Sequence, residues 1–398
     1  MMNYDKILTD TVKELKPSGI RKFFDLAGTM EGVISLGVGE PDFHTPWQIR
    51  NAGIRSLEQG QTRYTANRGT ELLRREISRY FKDKYAVSYD PMTEVLVTVG
   101  GSEAIDMTLR AVIDPGDEVI IPQPSYVCYE PITRLLGGVP VILNTKAEND
   151  FKVTPDELRA LITDKTKVLI LPYPCNPTGA IMEKDDLIAI EKVLHDTNIL
   201  VLSDEIYAEL TFGGIRHTSV ASVPGMKERT VTVNGFSKAF SMTGWRLGYA
   251  CGPAAVMSAI TKIHQYAIMC APTTSQAAAV EALRSCDAEV EKMRDEYDNR
   301  RHFTVAGFNR LGLTTREPKG AFYVFPDIRS TGLSSDEFCE RLLGEERVAV
   351  VPGTAFGASG EGFVRVSYCY SIDHIREAFM RIERFLEKLK NHDYPWQK

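Results

Sequence analysis

Between about residues 48 and 285 the chain alternates short apolar runs with longer stretches of helical pattern. The runs Glu94–Val99, Glu118–Pro122, Pro140–Leu143, Lys167–Leu171, Ile199–Ser203 and Thr230–Asn234 are largely apolar throughout rather than alternating. Strands covered on both faces have this pattern. Ser102–Val112 and Lys184–His195 read as helices; the second repeats Leu, Ile and Val at helical spacing and carries acids near its start, where they complement the helix dipole. Strands alternating with helices predict a mostly parallel α/β sheet.

Beyond that region the rhythm changes. Residues 286–312 read as one long, heavily charged helix leading out of the sheet. Residues 320–326, 348–351 and 362–367 follow as strands of a smaller sheet, and 372–389 as a closing amphipathic helix. The first 45 residues fit the sheet rhythm poorly, and Gly37–Phe43 reads as a turn-rich loop.

Composition narrows the function class. At 398 residues the chain exceeds one ordinary core, so two domains are expected. Hydrophobic residues at 43% and charged residues at 25% are ordinary for a globular enzyme. A net charge of −6 offers no general attraction to nucleic acid or an anionic membrane. Seven scattered cysteines without a CxxC pair suggest neither a disulfide framework nor a zinc site. No apolar run has the length of a membrane span, and the first residues lack the apolar core of a secretory signal. The expectation is a cytoplasmic protein acting on small molecules, with no metal, nucleic-acid or membrane partner.

Open parallel sheets bind ligands beyond the carboxyl ends of their strands. Gly100–Ser102, Tyr126, Asn176, Asp204 and Lys238 each follow or end a different predicted strand, so five candidate contacts converge on one edge. Gly100-Gly101-Ser102-Glu103 opens a helix after a strand and would present backbone N–H groups to an anion, although strand-to-helix turns commonly use glycine. Neither Gly-x-Gly-x-x-Gly nor a P-loop is present, which argues against a nucleotide-dependent α/β enzyme.

Three segments in this order carry a resemblance: Asn176-Pro-Thr-Gly179, Asp204-Glu-Ile-Tyr207 and Gly235-Phe-Ser-Lys238-Ala-Phe-Ser-Met-Thr-Gly-Trp-Arg246-Leu-Gly248. Together they resemble class I aminotransferases, the pyridoxal-phosphate (PLP) enzymes of fold type I. Gly-Glu-Pro-Asp-Phe at 39–43 and Ser-Met-Thr-Gly-Trp-Arg at 241–246 look like the prokaryotic subgroup of aspartate, aromatic and N-acetyl-diaminopimelate aminotransferases. The resemblance implies a large PLP-binding domain over 46–290 and a smaller discontinuous α/β domain from 1–45 and 291–398.

It also implies roles. Lys238 would hold PLP as a Schiff base and then shuttle a proton. Asp204 would pair with the pyridine nitrogen, its alternative being a helix cap. Tyr207 and Asn176 would bond the cofactor's phenolic oxygen, and Tyr126 would stack on the ring unless it is an ordinary core aromatic. Ser237, Arg246 and the 100–103 turn would bind phosphate; relatives often have a serine where this chain has Gly235, so one hydroxyl would be missing. Arg365, assisted by Gly39 and Asn176, would take the substrate carboxylate, and Ile20 would form an apolar lid. Tyr64 would reach the phosphate of a neighbouring site in a homodimer.

The implied reaction moves an amino group from an aromatic or aspartate-like L-amino acid to a 2-oxo acid such as 2-oxoglutarate. Some relatives carry lysine at the Ser102 position for an acidic side chain, and its absence here points toward broad specificity with an aromatic bias. A carbon–sulfur β-lyase and an N-acetyl-diaminopimelate aminotransferase are the alternatives; the lyases often have histidine at the Tyr207 position. An aminotransferase-like sensing domain of a transcriptional regulator would need a DNA-binding segment ahead of it, and only about 45 residues precede the large domain.

Overall fold

The computed structural model describes residues 2–17, 19, 28 and 30–391; Ile20, the expected lid residue, lies outside them. A seven-stranded sheet forms from β2 (Val95–Thr98), β3 (Glu118–Gln123), β4 (Val139–Asn144), β5 (Thr166–Leu171), β6 (Leu200–Asp204), β7 (Thr230–Gly235) and β8 (Gly248–Cys251). The order across it is β2-β8-β7-β6-β5-β3-β4. All pairings are parallel except those of β8, which runs antiparallel between β2 and β7. The six expected strands are present, and β8 is the addition.

The apolar runs divide by parity. Val168 and Ile170 of β5 join one core with Leu96, Ile121, Leu202 and Val233; Leu169 and Leu171 join a core on the other face with Ile120 and Val201. Side chains alternate across a strand, so a run that is apolar at every position serves both cores. β4, at the edge, is only partly buried.

A separate core gathers Leu36, Phe308, Phe322, Phe338 and Phe385 around two small sheets. β1 (Ile34–Ser35) pairs in parallel with β10 (Val348–Ala349). β12 (Val364–Ser367) lies between β11 (Val351–Pro352) and β9 (Tyr323–Val324), antiparallel to both. The run expected as one strand at 348–351 is thus two, with Val350 passing the chain from one sheet to the other. The helix Asp287–Arg310 and the closing helix Ile372–Lys390 flank this core.

Two local devices hold the strand ends near Asp204. Gly100 caps the helix Gly101–Val112 with φ +80° and ψ 170°, a conformation open essentially to glycine. Glu205, fully buried, accepts hydrogen bonds from Ser203 Oγ at 2.9 Å, Ser219 Oγ at 3.0 Å and the Val220 N–H at 3.0 Å, and His217 Nε2 lies 2.9 Å from its other oxygen. This carboxylate ties the turn after β6 to the 217–220 segment.

Glu205→Ala strips the acceptor from these buried groups at once, and breaking such a network costs roughly 3 kcal/mol or more. Urea unfolding is expected to show this loss, with Glu205→Gln losing less because its amide oxygen still accepts. An unchanged urea midpoint for Glu205→Ala would mean that the turn is held by other contacts.

Candidate active site

The carboxyl ends of the strands open on a cavity of about 850 Å³. Gly101, Ser102, Tyr126, Asn176, Asp204, Tyr207, Ser237, Lys238 and Arg246 reach it from the sheet domain, and Gly39 and Arg365 from the smaller core. One concave surface therefore collects most of the residues singled out in the sequence.

Lys238 follows β7, and its Nζ donates to the Gly39 carbonyl at 2.7 Å. Burial pushes its ammonium down from 10.5 to about 8; Cys369 and Glu40 oppose this, and Arg365 and Arg246 add to it. A buried amine near neutrality is suited to exchange protons.

Asp204 ends β6. Its Oδ2 accepts from the Tyr129 hydroxyl at 2.7 Å and its Oδ1 from the Ile206 N–H at 3.2 Å. Burial drives its carboxyl above the ordinary value, while these two bonds and the Lys238 charge pull it back. The Ile206 bond closes a turn rather than capping a helix, since residues 206–209 form a turn, and Asp204 lines the cavity.

Arg365 sits in the middle strand of a three-stranded sheet and is 2% exposed. Its Nη1 donates to Asn176 Oδ1 at 3.0 Å and its Nη2 to the Gly37 carbonyl. Nε has no partner among the described residues. Its guanidinium carbon stands 4.6 Å from the Tyr323 ring centre and 4.8 Å from that of Phe356. A buried cation with neutral partners and an orphaned donor favours a carboxylate ligand.

The Gly37–Asp42 loop joins these groups. Besides accepting from Lys238 and Arg365, it uses Glu40 to accept from Thr243 and Asp42 to bind Arg300 Nη1 at 2.8 and 2.9 Å. Arg246, at φ +51°, donates to the Thr243 carbonyl at 3.0 Å and lies against the cap: a Cβ on Gly100 would meet its Nη2 at 2.8 Å. Ser237 completes the donors on this side of the cavity.

Four expectations need comment. Glu103, expected to offer its backbone N–H at the helix start, turns its carboxylate away from the cavity: it accepts from the Val99 N–H and lies 2.6 Å from His264 Nδ1. Gly100 acts as the cap rather than a lining residue. Tyr64 is 82% exposed and away from this chain's own cavity. At Gly235 a Cβ would meet Gly248 Cα at 3.0 Å and the Leu247 carbonyl at 3.1 Å, so close packing of β7 on β8 accounts for the missing serine.

The family model for aminotransferase class I and II matches residues 31–382. The chain belongs to this family. YugH of Bacillus subtilis (strain 168), provisionally named an aminotransferase, is 53% identical over 381 residues, covering 96% of this chain and 98% of the relative. The aspartate aminotransferase of Pyrococcus abyssi is 45% identical, with 96% and 99% covered. Among solved structures, the aromatic aminotransferase of Pyrococcus horikoshii OT3 superposes with a TM-score of 0.89 at 44% identity, covering 93% of this chain and 99% of that one. The chain is an aminotransferase of the α/β architecture read from its strands.

Tyr129 and Tyr323 border the cavity of this aminotransferase without having been assigned a role. Each is an aromatic inside an apolar segment, where nothing in the pattern separates a site residue from core. Tyr129 opens the helix Tyr129–Leu135 just after the non-helical Tyr126, and their rings meet edge-on at 6.0 Å.

The lowered Lys238 value has a signed consequence for the apoprotein. A folded-state value near 8 against 10.5 means that charging the amine opposes folding, fully below pH 8 and not at all above 10.5. Lys238→Met is expected to stabilise the apoprotein at pH 6–7 by up to roughly 3 kcal/mol, with the gain fading as the pH approaches 10.5. A gain independent of pH in denaturant titrations would show that the ammonium is not desolvated.

Proposed function

We propose that this aminotransferase uses pyridoxal 5′-phosphate, transfers amino groups from aromatic or aspartate-like L-amino acids to a 2-oxo acid such as 2-oxoglutarate, and works as a cytoplasmic homodimer. The observation that carries the reading is the Lys238 amine, lowered toward neutrality, in one cavity with a buried carboxylate at Asp204 and a carboxylate-hungry Arg365. The donor set fits the cofactor: an amine held only by a backbone carbonyl among the described residues, a buried acid, and a helix N-terminus flanked by Ser237 and Arg246.

When bound, PLP supplies an electron sink for the charge left at the substrate Cα. Asp204 would hold a proton on the ring nitrogen, a cationic partner that would favour its own ionised form. Tyr129 orients that carboxylate through its 2.7 Å bond. Arg365 and Asn176 grip the substrate carboxylate and so orient the Cα–H bond. Lys238 would hold the cofactor covalently and, with its amine freed, would move a proton at the substrate Cα. Ser237, Arg246 and the N–H groups at the start of the Gly101–Val112 helix would hold the phosphate. Tyr126 would hold the ring and Tyr207 the phenolic oxygen.

Val38, Val127 and Ile105 give the cavity an apolar wall, and Ser102 stands beside Tyr126; both support an aromatic bias. Named relatives include aspartate and aromatic enzymes, which supports a broad acceptance. The division at 45/46 and 290/291 is part of the same reading, the second boundary falling in the first turn of the Asp287–Arg310 helix. For the homodimer, support comes from exposed Tyr64, Tyr266, Ile268 and Met269, with Asn67 Nδ2 bonded to the Met269 carbonyl at 2.9 Å. No helix among the described residues is long and apolar enough to cross a membrane.

Purified protein is expected to bind PLP with a visible absorption band and to transaminate phenylalanine and tyrosine with 2-oxoglutarate. Lys238→Ala should still bind PLP and lose turnover by about three orders of magnitude or more. Near-normal turnover of that variant would defeat the assignment, whereas a hundredfold preference for aspartate in kcat/KM would defeat only the aromatic bias.

Mixing Tyr64→Phe with Lys238→Ala subunits is expected to yield heterodimers with one intact site and activity above that of the unmixed proteins. Demonstrated subunit exchange without such a rise would remove the cross-subunit role of Tyr64.

A further inference from the structure

The loop from Lys238 to Arg246 holds two residues in the left-handed region, Ser241 and Arg246, both at φ +51°. Neither is glycine, and such residues persist only where their surroundings over-determine them. The Arg246 guanidinium bonds the Thr243 carbonyl of the same loop at 3.0 Å, so the loop backbone decides where this cation points. Arg246 borders both the cavity and an outer crevice lined by Thr45, Trp245 and Ser275, and the grip on the backbone comes from that outer side.

Thr45 is buried there. A hydroxyl has one proton and two lone pairs: Thr45 Oγ1 gives its proton to the Ser241 carbonyl at 2.6 Å and accepts the indole N–H of Trp245 at 3.1 Å. An indole N–H can only donate, so both directions are settled. The two partners are the first left-handed residue and the residue just before the second. Ser275, on the helix Thr273–Ser285, donates to the Trp245 carbonyl at 2.7 Å, and the indole lies against Gly53 of the helix Trp47–Glu58, where a Cβ would meet its ring at 2.8 Å.

The segment that carries Thr45 is itself wedged, because a Cβ on Gly39 would fall 2.0 Å from the Tyr323 hydroxyl oxygen. Its other ties to the loop, Gly39 to Lys238 and Glu40 to Thr243, join residues that line the cavity and are exposed to whatever binds there. Thr45 is not among the lining residues. Its tie is the one a ligand leaves intact.

We propose that Thr45 is a positioning residue for the phosphate: by joining Ser241 to Trp245 it holds Arg246 in its left-handed conformation and keeps the guanidinium where the cofactor's phosphate arrives. It touches no ligand itself. The inference rests on the PLP reading of this cavity and deepens it.

The test compares PLP with pyridoxal, which lacks the phosphate, each titrated into the full-length apoprotein and followed by the visible band. Thr45→Val keeps the volume and removes the hydroxyl. Its dissociation constant for PLP is expected to rise about tenfold while that for pyridoxal stays within about twofold of wild type. Thr45→Ser, which retains the hydroxyl, should match wild type for both. Ser275→Ala releases the other grip and should weaken PLP about threefold with pyridoxal unaffected, which keeps the test open if Thr45→Val does not fold. Because Thr45 acts through Arg246, Thr45→Val should add less than about twofold to the loss caused by Arg246→Ala alone. Unaltered PLP affinity in Thr45→Val, equal losses for PLP and pyridoxal, or losses that multiply in the double variant would overturn the inference and leave the cofactor reading standing. A wild-type protein that took up neither compound would sink the cofactor reading and this inference together, so the two failures are distinguishable.

Discussion

The common direction of six strands is the constraint from which the site follows. Parallel strands need crossover helices, and the crossovers leave every carboxyl end on the same edge of the sheet. Asp204, Asn176, Tyr126 and Lys238 are far apart in sequence and meet because each follows a strand with the same polarity. β8 alone reverses, and it does so beside the helix cap at Gly100, where its first residue presses against backbone: a Cβ on Gly248 would meet Gly100 C at 2.6 Å. The reversal returns the chain directly after the Lys238–Arg246 loop, so both ends of that loop are fixed by adjacent strands.

The smaller core contributes by a different route. It sends in one loop and one strand: the Arg365 side chain of the strand is held by neutral groups, and the loop by its bonds to Lys238, Arg365 and Thr243 and by an ion pair behind it. Arg365 is buried without a carboxylate partner among the described residues, supported by Asn176, a backbone carbonyl and two aromatic faces. Such a guanidinium is costly to hold in the empty protein and correspondingly avid for an anion. The ion pair that does exist, Arg300 with Asp42, sits one step behind and steadies the loop without consuming the charge at its tip.

The large sheet was legible because its runs are apolar on both faces, as the split of Val168–Leu171 between two cores illustrates. β8 was not, since four residues of Gly-Tyr-Ala-Cys give no period, and neither was β1, whose two residues are too short to pattern; the break that splits 348–351 into β10 and β11 was hidden for the same reason. Lys238, Asp204 and Asn176 were singled out by the segments that resemble class I aminotransferases and by their places at strand ends, and Arg365 also because an arginine between Val364 and Val366 on a strand demands a reason. Tyr129 and Tyr323 were hidden for the opposite reason: a phenol among apolar residues looks like core until its hydroxyl's neighbour is known.

The contact between Gly39 and the Tyr323 hydroxyl bears on how this site can diverge. Any side chain at position 39 would collide with Tyr323, and any at 248 with the helix cap, so the ligand-holding walls tolerate no enlargement at those points. Variation that leaves the chemistry intact is channelled to Val38, Val127 and Ile105, whose side chains border the cavity without holding its polar groups. Descendants of this chain would therefore be expected to trade substrates by repainting one wall while the opposite one stays frozen.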